Sequence, residues 1–312
     1  VTADAARVPW EVEPFAVVDG GLSTVLEELG EQPKGLLWTA EALLDRPHVL
    51  EAAHAAFVAA GADVVITASY QASVPGLVAA GLTSEEARRA LGRTTSLARS
   101  SGARWVAASV GPFGAYLADG SEYRGDYVTA GSATWEQIRA FHRERLEILV
   151  DSGPDLYAVE TIPLAAEAEI VVEELRRLTD APAWVTFSCR DGSTTCGGDS
   201  LVAAARAVAA GVDAVGLNCT APLHVERALL ELGAVEGGAD PVPLVVYPNH
   251  GAEWDAAHKC WIGPTGGSEL ATMAARWAEL GARLIGGCCG VGTAGVAALA
   301  AERLRLAGLA SS

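Results

Sequence analysis

Eight short apolar runs, rich in Val, Ile and Ala, recur along the 312 residues and alternate with segments of helical periodicity. They read FAVVDG (15–20), ADVVITASY (62–70), RWVAASVGP (104–112), LYAVETIP (156–163), AWVTFSC (183–189), AVGLNC (214–219), LVVYPN (244–249) and RLIGGCC (283–289). Runs of this kind, apolar almost throughout, suit strands of a parallel sheet buried on both faces. Strand–helix units that repeat in one direction over this length most simply close into a single-domain (β/α)8 TIM barrel. The runner-up is an open doubly wound sheet. Against it, VVDGGLSTVLEELG lacks a full G-x-G-x-x-G and no acidic residue ends the second strand. Between the strands, Thr83 with Glu86 and Thr134 with Gln137 form capping-box pairs that open helices. The segment 134–152 places Ile138, Phe141, Leu146, Leu149 and Val150 on one helical face. Residues 1–14 read as a flexible N-terminal tail, 15–312 as the barrel domain, and GAVEGGAD (233–240) as a surface loop.

Charge narrows the partners. Lys and Arg number 22 against 39 Asp and Glu, a formal net charge of −17. That balance argues against nucleic acid, whose phosphates require basic side chains, and is compatible with a cationic small ligand. No apolar run approaches a membrane span, and the N-terminal stretch lacks the basic-then-apolar order of a secretory signal. The expected setting is cytoplasmic. Six cysteines in a chain of this size are not a disulfide scaffold, so they fill the core, bind metal or do chemistry.

In a TIM barrel the C-terminal strand ends share one mouth. The runs place there Asp19 before Gly20 and Gly21, Ser69 and Tyr70, Glu160 and Thr161, Asn218 and Cys219, Tyr247 and Asn249, and finally Cys288 and Cys289. Each alone could be a turn-former or a cap; six strand ends carrying such groups are harder to dismiss. Cys189, Cys196 and Cys260 read as filler. Cys219, Cys288 and Cys289 reach the same mouth. Neighbouring residues of a regular strand point to opposite faces, so Cys288 and Cys289 can share an ion only if the backbone leaves strand geometry. Gly286, Gly287 and Gly290 supply the conformational freedom for that. Three thiolates favour zinc over harder cations and leave a tetrahedral site one ligand short, which implies chemistry. A vicinal disulfide or a buried thiol pair remains the alternative from spacing alone.

GLNCTAP with GGCCG resembles the homocysteine S-methyltransferase family. So do VVDGGLSTVLEELG, ITASYQAS, SVGPFGAYLADGSEYRGDY, AVETIP, LVVYPN and ARLIGGCCG, in the expected order from about Phe15 to about Ala301. The likeness is nearest the branch that uses S-methylmethionine or S-adenosylmethionine. It implies a (β/α)8 barrel whose zinc is held by Cys219, Cys288 and Cys289. It implies that Asp19 and Glu160 hold the homocysteine ammonium and that backbone amides after Gly20 and Gly21 receive its carboxylate. Tyr70, Asn218 and Asn249 would line or shape the pocket, and the loop 111–127 would cover the donor.

The expected reaction is direct methyl transfer from a sulfonium to a zinc-activated homocysteine thiolate, giving methionine, with no obligatory general base. Asp119, Glu122 and Asp126 in the covering loop are candidates for favouring a cationic donor; a solvated loop is the alternative. The competing readings are a betaine-type or other thiol methyltransferase, a non-catalytic zinc- or thiol-sensing barrel, and a hydrolase using zinc-bound water. The last is disfavoured because three thiolates make zinc a poor water activator.

Overall fold

The computed structural model describes residues 7–31, 38–236, 241–251, 253–255, 260–262 and 269–308. Its main sheet has eight parallel strands: β1 (Ala16–Val17), β2 (Val64–Ile66), β3 (Trp105–Val110), β4 (Leu156–Ile162), β5 (Ala183–Phe187), β6 (Ala214–Asn218), β7 (Leu244–Tyr247) and β8 (Ala282–Ile285). The order β1-β8-β7-β6-β5-β4-β3-β2 runs round a barrel, and a Val18–Val64 bridge links its two ends. All eight expected runs contain a strand, and helices cover the outside, so the (β/α)8 TIM barrel is the observed fold. A short antiparallel pair, Glu253–Asp255 with Cys260–Ile262, is inserted after β7. Among the described residues no helix is long and apolar enough to cross a membrane.

Strand periodicity sorts the core into two shells. Ala16, Val18, Trp105, Ala107, Leu156, Ala158, Trp184, Val245, Tyr247 and Leu284 fill the barrel interior. The intervening positions, such as Val17, Val106, Tyr157 and Val185, pack outward against the helices. Continuing the inward set by twos from Leu156 and Ala158 leads to Glu160, and from Trp105 and Ala107 to Ser109. A period of two therefore carries polar groups into the mouth from the same face that builds the core below.

Both expected capping boxes form, at Thr83 with Glu86 and Thr134 with Gln137. The helix Trp135–Asp151 buries Ile138, Phe141, Leu146 and Leu149, while Val150 is half-buried. The same helix also buries His142 and Arg145, which an apolar pattern does not flag. Arg145 donates to the carbonyls of Ser69 (2.6 Å), Tyr70 (2.6 Å) and Gly111 (2.9 Å), joining the ends of β2 and β3.

Packing begins earlier in the chain than the sequence suggests. Within the segment read as a tail, a 3-10 turn at Pro9–Glu11 precedes Val12, which is 1% exposed and packs with Trp10 against the barrel interior. Residues 1–6 lie outside the described residues, as do 237–240 of the expected surface loop; within the rest of that loop Val235 is buried.

The floor of the barrel carries a repeated clasp. Asp63, Asp155 and Asp213 each stand immediately before an even-numbered strand. Their carboxylates accept from the amides of Val17 (2.8 Å), Val106 (2.8 Å) and Ala183 (2.9 Å) on the preceding strand. Their own amides return hydrogen bonds to the carbonyls of the same three residues. A helix arginine completes each clasp: Arg303, Arg99 and Arg176 respectively.

Candidate active site

Two loops, after β6 and after β8, bring three thiols together at the mouth. Cys219 Sγ lies 3.5 Å from Cys289 Sγ, and Cys288 Sγ lies 4.0 Å from Cys289 Sγ. All three sulfurs fall within 4.8 Å of one another. Tetrahedral zinc with Zn–S bonds of about 2.3 Å needs sulfurs about 3.8 Å apart, so the trio fits such an ion. The thiols hydrogen-bond among themselves. Donation from Cys219 and Cys288 holds Cys289 well below the usual thiol range. Hydrogen bonds with Cys219 and Cys289, and then burial, push Cys288 up. A thiolate trio is therefore unfavourable without a cation to neutralise it.

The glycines around the cysteines act differently from the expectation. Only Gly290 is left-handed, with φ +78°, and a Cβ there would also meet His250 Nδ1 at 2.1 Å. Gly286 and Gly287 supply space instead. A Cβ on Gly286 would meet Val18 Cβ at 2.7 Å, and one on Gly287 would meet Val291 Cγ1 at 2.2 Å. Cys219 itself adopts φ +47° and Thr161 φ +60°. With Ala118 at φ 54°, these are the non-glycine residues in the left-handed region among those described; Cys219 directly follows β6, Thr161 is the penultimate residue of β4, and Ala118 caps the helical turn Phe113–Leu117 in the loop after β3. Strain of this kind concentrates at functional sites.

Asn218 holds Thr161 in that conformation. Its Oδ1 accepts from Thr161 N and its Nδ2 donates to Thr161 Oγ1, both at 2.7 Å; the same Nδ2 lies 3.9 Å from Cys288 Sγ. Asn249 accepts from Gly251 N (2.9 Å) and reaches the Cys219 carbonyl at 3.5 Å. Both asparagines thus shape backbone around the thiols. Tyr70 packs its ring on Gly111, where a Cβ would meet it at 2.6 Å.

Two buried acids share the mouth. Asp19 Oδ2 accepts from Ile66 N at 2.8 Å, and Glu160 accepts a short hydrogen bond from Ser109 Oγ. Burial raises the Asp19 pKa well above the carboxylate range despite the Ile66 amide, and Glu160 adds to the rise. Burial likewise pushes Glu160 up to about 7, against the pull of Ser109 and Tyr247. Neither is ion-paired among the described residues, although Arg145 offsets part of the rise at Glu160, so the pair suits an incoming cation. After Asp19, a Cβ on Gly20 would meet the Val291 carbonyl at 2.3 Å, and one on Gly21 the Cys288 carbonyl at 2.8 Å. The glycines let this turn pack against the cysteine loop. Gly21 N already donates to Val291 O at 2.9 Å, so that amide is not free to receive a substrate carboxylate.

The loop after β3 folds over the thiols. It contains a helical turn at Phe113–Leu117 and a 3-10 turn at Ser121–Tyr123. Tyr123 OH lies 3.1 Å from Cys219 Sγ, a contact the sequence analysis missed although Tyr123 stands in a quoted motif. Glu167, fully buried, fastens both ends of the loop: it accepts from Phe113 N (2.6 Å) and from Tyr127 OH, and meets His142 Nε2 at 2.9 Å. Of the loop's acids, Asp119 and Asp126 pair with Arg124 at 3.8 and 2.9 Å. Glu122 does not, and burial pushes its pKa up to about 7, with Cys219 and Asp119 adding to the rise. Also missed were Ser109 and His250, whose Nδ1 lies 3.1 Å from the Cys289 carbonyl oxygen. The alternation along β3 contains the signal for Ser109; none marks His250. Cys189 is buried and Cys196 half-buried, away from the trio; the Cys260 side chain lies outside the described residues.

Comparison with known proteins agrees with this architecture. The family model described as homocysteine S-methyltransferase matches residues 16–303. Homocysteine S-methyltransferase 1 of Zea mays is 40% identical over 295 residues, covering 88% of this chain and 90% of its own. Homocysteine S-methyltransferase YbgG of Bacillus subtilis is 37% identical over 296 residues, covering 88% and 90%. The crystal structure of the homocysteine methyltransferase MmuM from Escherichia coli in its metallated form superposes with a TM-score of 0.82 at 37% identity, covering 95% of this chain and 99% of that one. The chain belongs to the homocysteine S-methyltransferase family and is a methyltransferase.

Proposed function

We propose that this enzyme moves a methyl group from a sulfonium donor, S-methylmethionine and also S-adenosylmethionine, to homocysteine, giving methionine. The observation that supports the reading is the convergence of three thiol sulfurs beside two buried acids that form no ion pair among the described residues. Cys219, Cys288 and Cys289 would hold zinc, which when bound lowers the pKa of a coordinated thiol and keeps it as thiolate at neutral pH.

The remaining work falls to the chain. Asp19 and Glu160 take the homocysteine ammonium, which relieves the penalty of ionising them in a buried site. Gly20 and Gly21 keep the first turn close enough to the cysteine loop for one small amino acid to reach both. Asn218 and Asn249 fix the backbone that aims Cys219, and Tyr70 walls the pocket. The covering loop excludes water and aligns the donor, and alignment of this kind contributes on the order of 7–11 kcal/mol. The homocysteine sulfur attacks the methyl carbon, and the broken C–S bond leaves its electron pair on the departing sulfur. That group leaves as a neutral thioether, so no residue has to protonate it. A cytoplasmic setting belongs to the proposal, since three reduced thiols require a reducing compartment.

The deciding experiment offers the zinc-loaded protein homocysteine with S-methylmethionine, S-adenosylmethionine, betaine or methyl-folate in parallel. Methionine should form from the sulfonium donors. Turnover with betaine or methyl-folate alone would overturn the donor assignment.

A further inference from the structure

We propose that Glu122 selects the methyl donor by its charge, its carboxylate forming the anionic wall against which the donor's sulfonium lies. This rests on the methyl-transfer reading above and assigns one residue of the covering loop to it. The Tyr123 contact with Cys219 sets the segment 121–123 directly over the thiol cluster. Glu122 is fixed there by its backbone. Its carbonyl accepts from Ser188 Oγ at 3.2 Å, and its amide lies 2.6 Å from where a Cβ on Gly114 would stand. Its Oε2 is buried and has no hydrogen-bond partner among the described residues.

A buried carboxylate oxygen without a partner is costly and needs a reason. The loop has a cation available, Arg124, but its guanidinium binds Asp119 and Asp126 on the outer side. The three acids of the loop are thus not equivalent. Two are paired with Arg124 and 44–53% exposed to solvent, and the third is unpaired and near enough to Cys219 for the two to repel. A sulfonium is a cation without N–H or O–H groups. It cannot satisfy an acceptor by donating a hydrogen bond, and it is recognised through charge alone. A fixed, dry carboxylate oxygen with no competing donor suits that chemistry. The sulfonium is only partly discharged at the transition state, so the attraction acts on the ground state and the transition state to a similar extent. Glu122 should therefore govern donor binding and leave the chemical step almost untouched.

The test compares the zinc-loaded full-length protein with its Glu122→Gln variant at saturating homocysteine. The KM for S-methylmethionine should rise about tenfold or more, with kcat within about twofold and with metal content and the KM for homocysteine unchanged. Trimethylsulfonium, which has no amino group, should show the same rise in KM. Calorimetric binding should report that the wild type prefers S-adenosylmethionine to the neutral S-adenosylhomocysteine and that Glu122→Gln loses the preference. Glu122→Asp, which keeps the charge, should recover part of it. An unchanged donor KM and preference in the variant overturns the inference and leaves the methyl-transfer reading standing. A rise confined to amino-bearing donors overturns the sulfonium assignment. A wild type inert with every sulfonium overturns the functional reading, and the inference with it.

Discussion

The two ends of the barrel treat acidic residues in opposite ways. At the floor, Asp63, Asp155 and Asp213 each accept a strand amide and face an arginine. At the mouth, Asp19, Glu160 and Glu122 sit in burial that raises their pKa values; among the described residues none of them is ion-paired, and Arg145 and Arg124 offset only part of the rise at Glu160 and Glu122. The backbone divides in the same way: among the described residues the left-handed non-glycine positions, Ala118, Thr161 and Cys219, all lie at the mouth or in the loop that covers it. Floor acids close the barrel. Mouth acids and mouth strain are held in place by the rest of the fold.

The largest effect should come from the thiols. Cys219→Ala, Cys288→Ala or Cys289→Ala should each lower turnover by about a thousandfold or more and remove bound zinc, read by metal analysis beside the assay. A variant that turns over normally without metal would break the account of the mouth.

The acids give the sharpest contrast. Asp63→Ala leaves Arg303 and the Val17 amide without their partner in a site where the two side chains are 11% and 15% exposed. It should cost about 3 kcal/mol in urea unfolding, with the KM for homocysteine unchanged. Glu160→Gln should do the reverse: unfolding at neutral pH no weaker than wild type, zinc content normal, and the KM for homocysteine raised about tenfold or more. If both variants lost stability alike, the division between floor and mouth would fail.

The same contrast sets a pH dependence. Glu160 titrates near 7 in the folded protein, above its unfolded value of 4.5, so between those pH values the folded state holds more protons. Stability of the ligand-free protein is then full below about pH 4.5 and falls as pH rises to about 7, by on the order of 3 kcal/mol for this group. Homocysteine should recover the loss, so the ligand-induced rise in Tm should grow across that window. A shift independent of pH would show that its ammonium does not meet Glu160.

The smallest effect concerns backbone strain. Ala118→Gly removes the Cβ from a left-handed position and should stabilise the protein by about 1 kcal/mol. Thermal unfolding reads it; a destabilisation would mean that the loop is not strained there.

Local patterns were enough for much of this molecule. The alternation of apolar runs with helical segments dictates the barrel, because hydrophobic burial follows chain periodicity before any long-range contact forms. A barrel then brings strand ends to one mouth, so Cys219, Cys288 and Cys289 were legible as a trio, and Thr83 and Thr134 announced their helices through side chains three residues apart. Tertiary structure alone decided the rest. Asn218 props Thr161 across 57 positions of sequence and Arg303 meets Asp63 across 240, distances over which local periodicity carries no information. It also distinguished Gly290, needed for its backbone angle, from Gly286 and Gly287, needed for room, and it separated Glu122 from Asp119 and Asp126. Sequence fixes which charges a loop carries; only the packing of Arg124 on the outer side determines which of them is left unpaired.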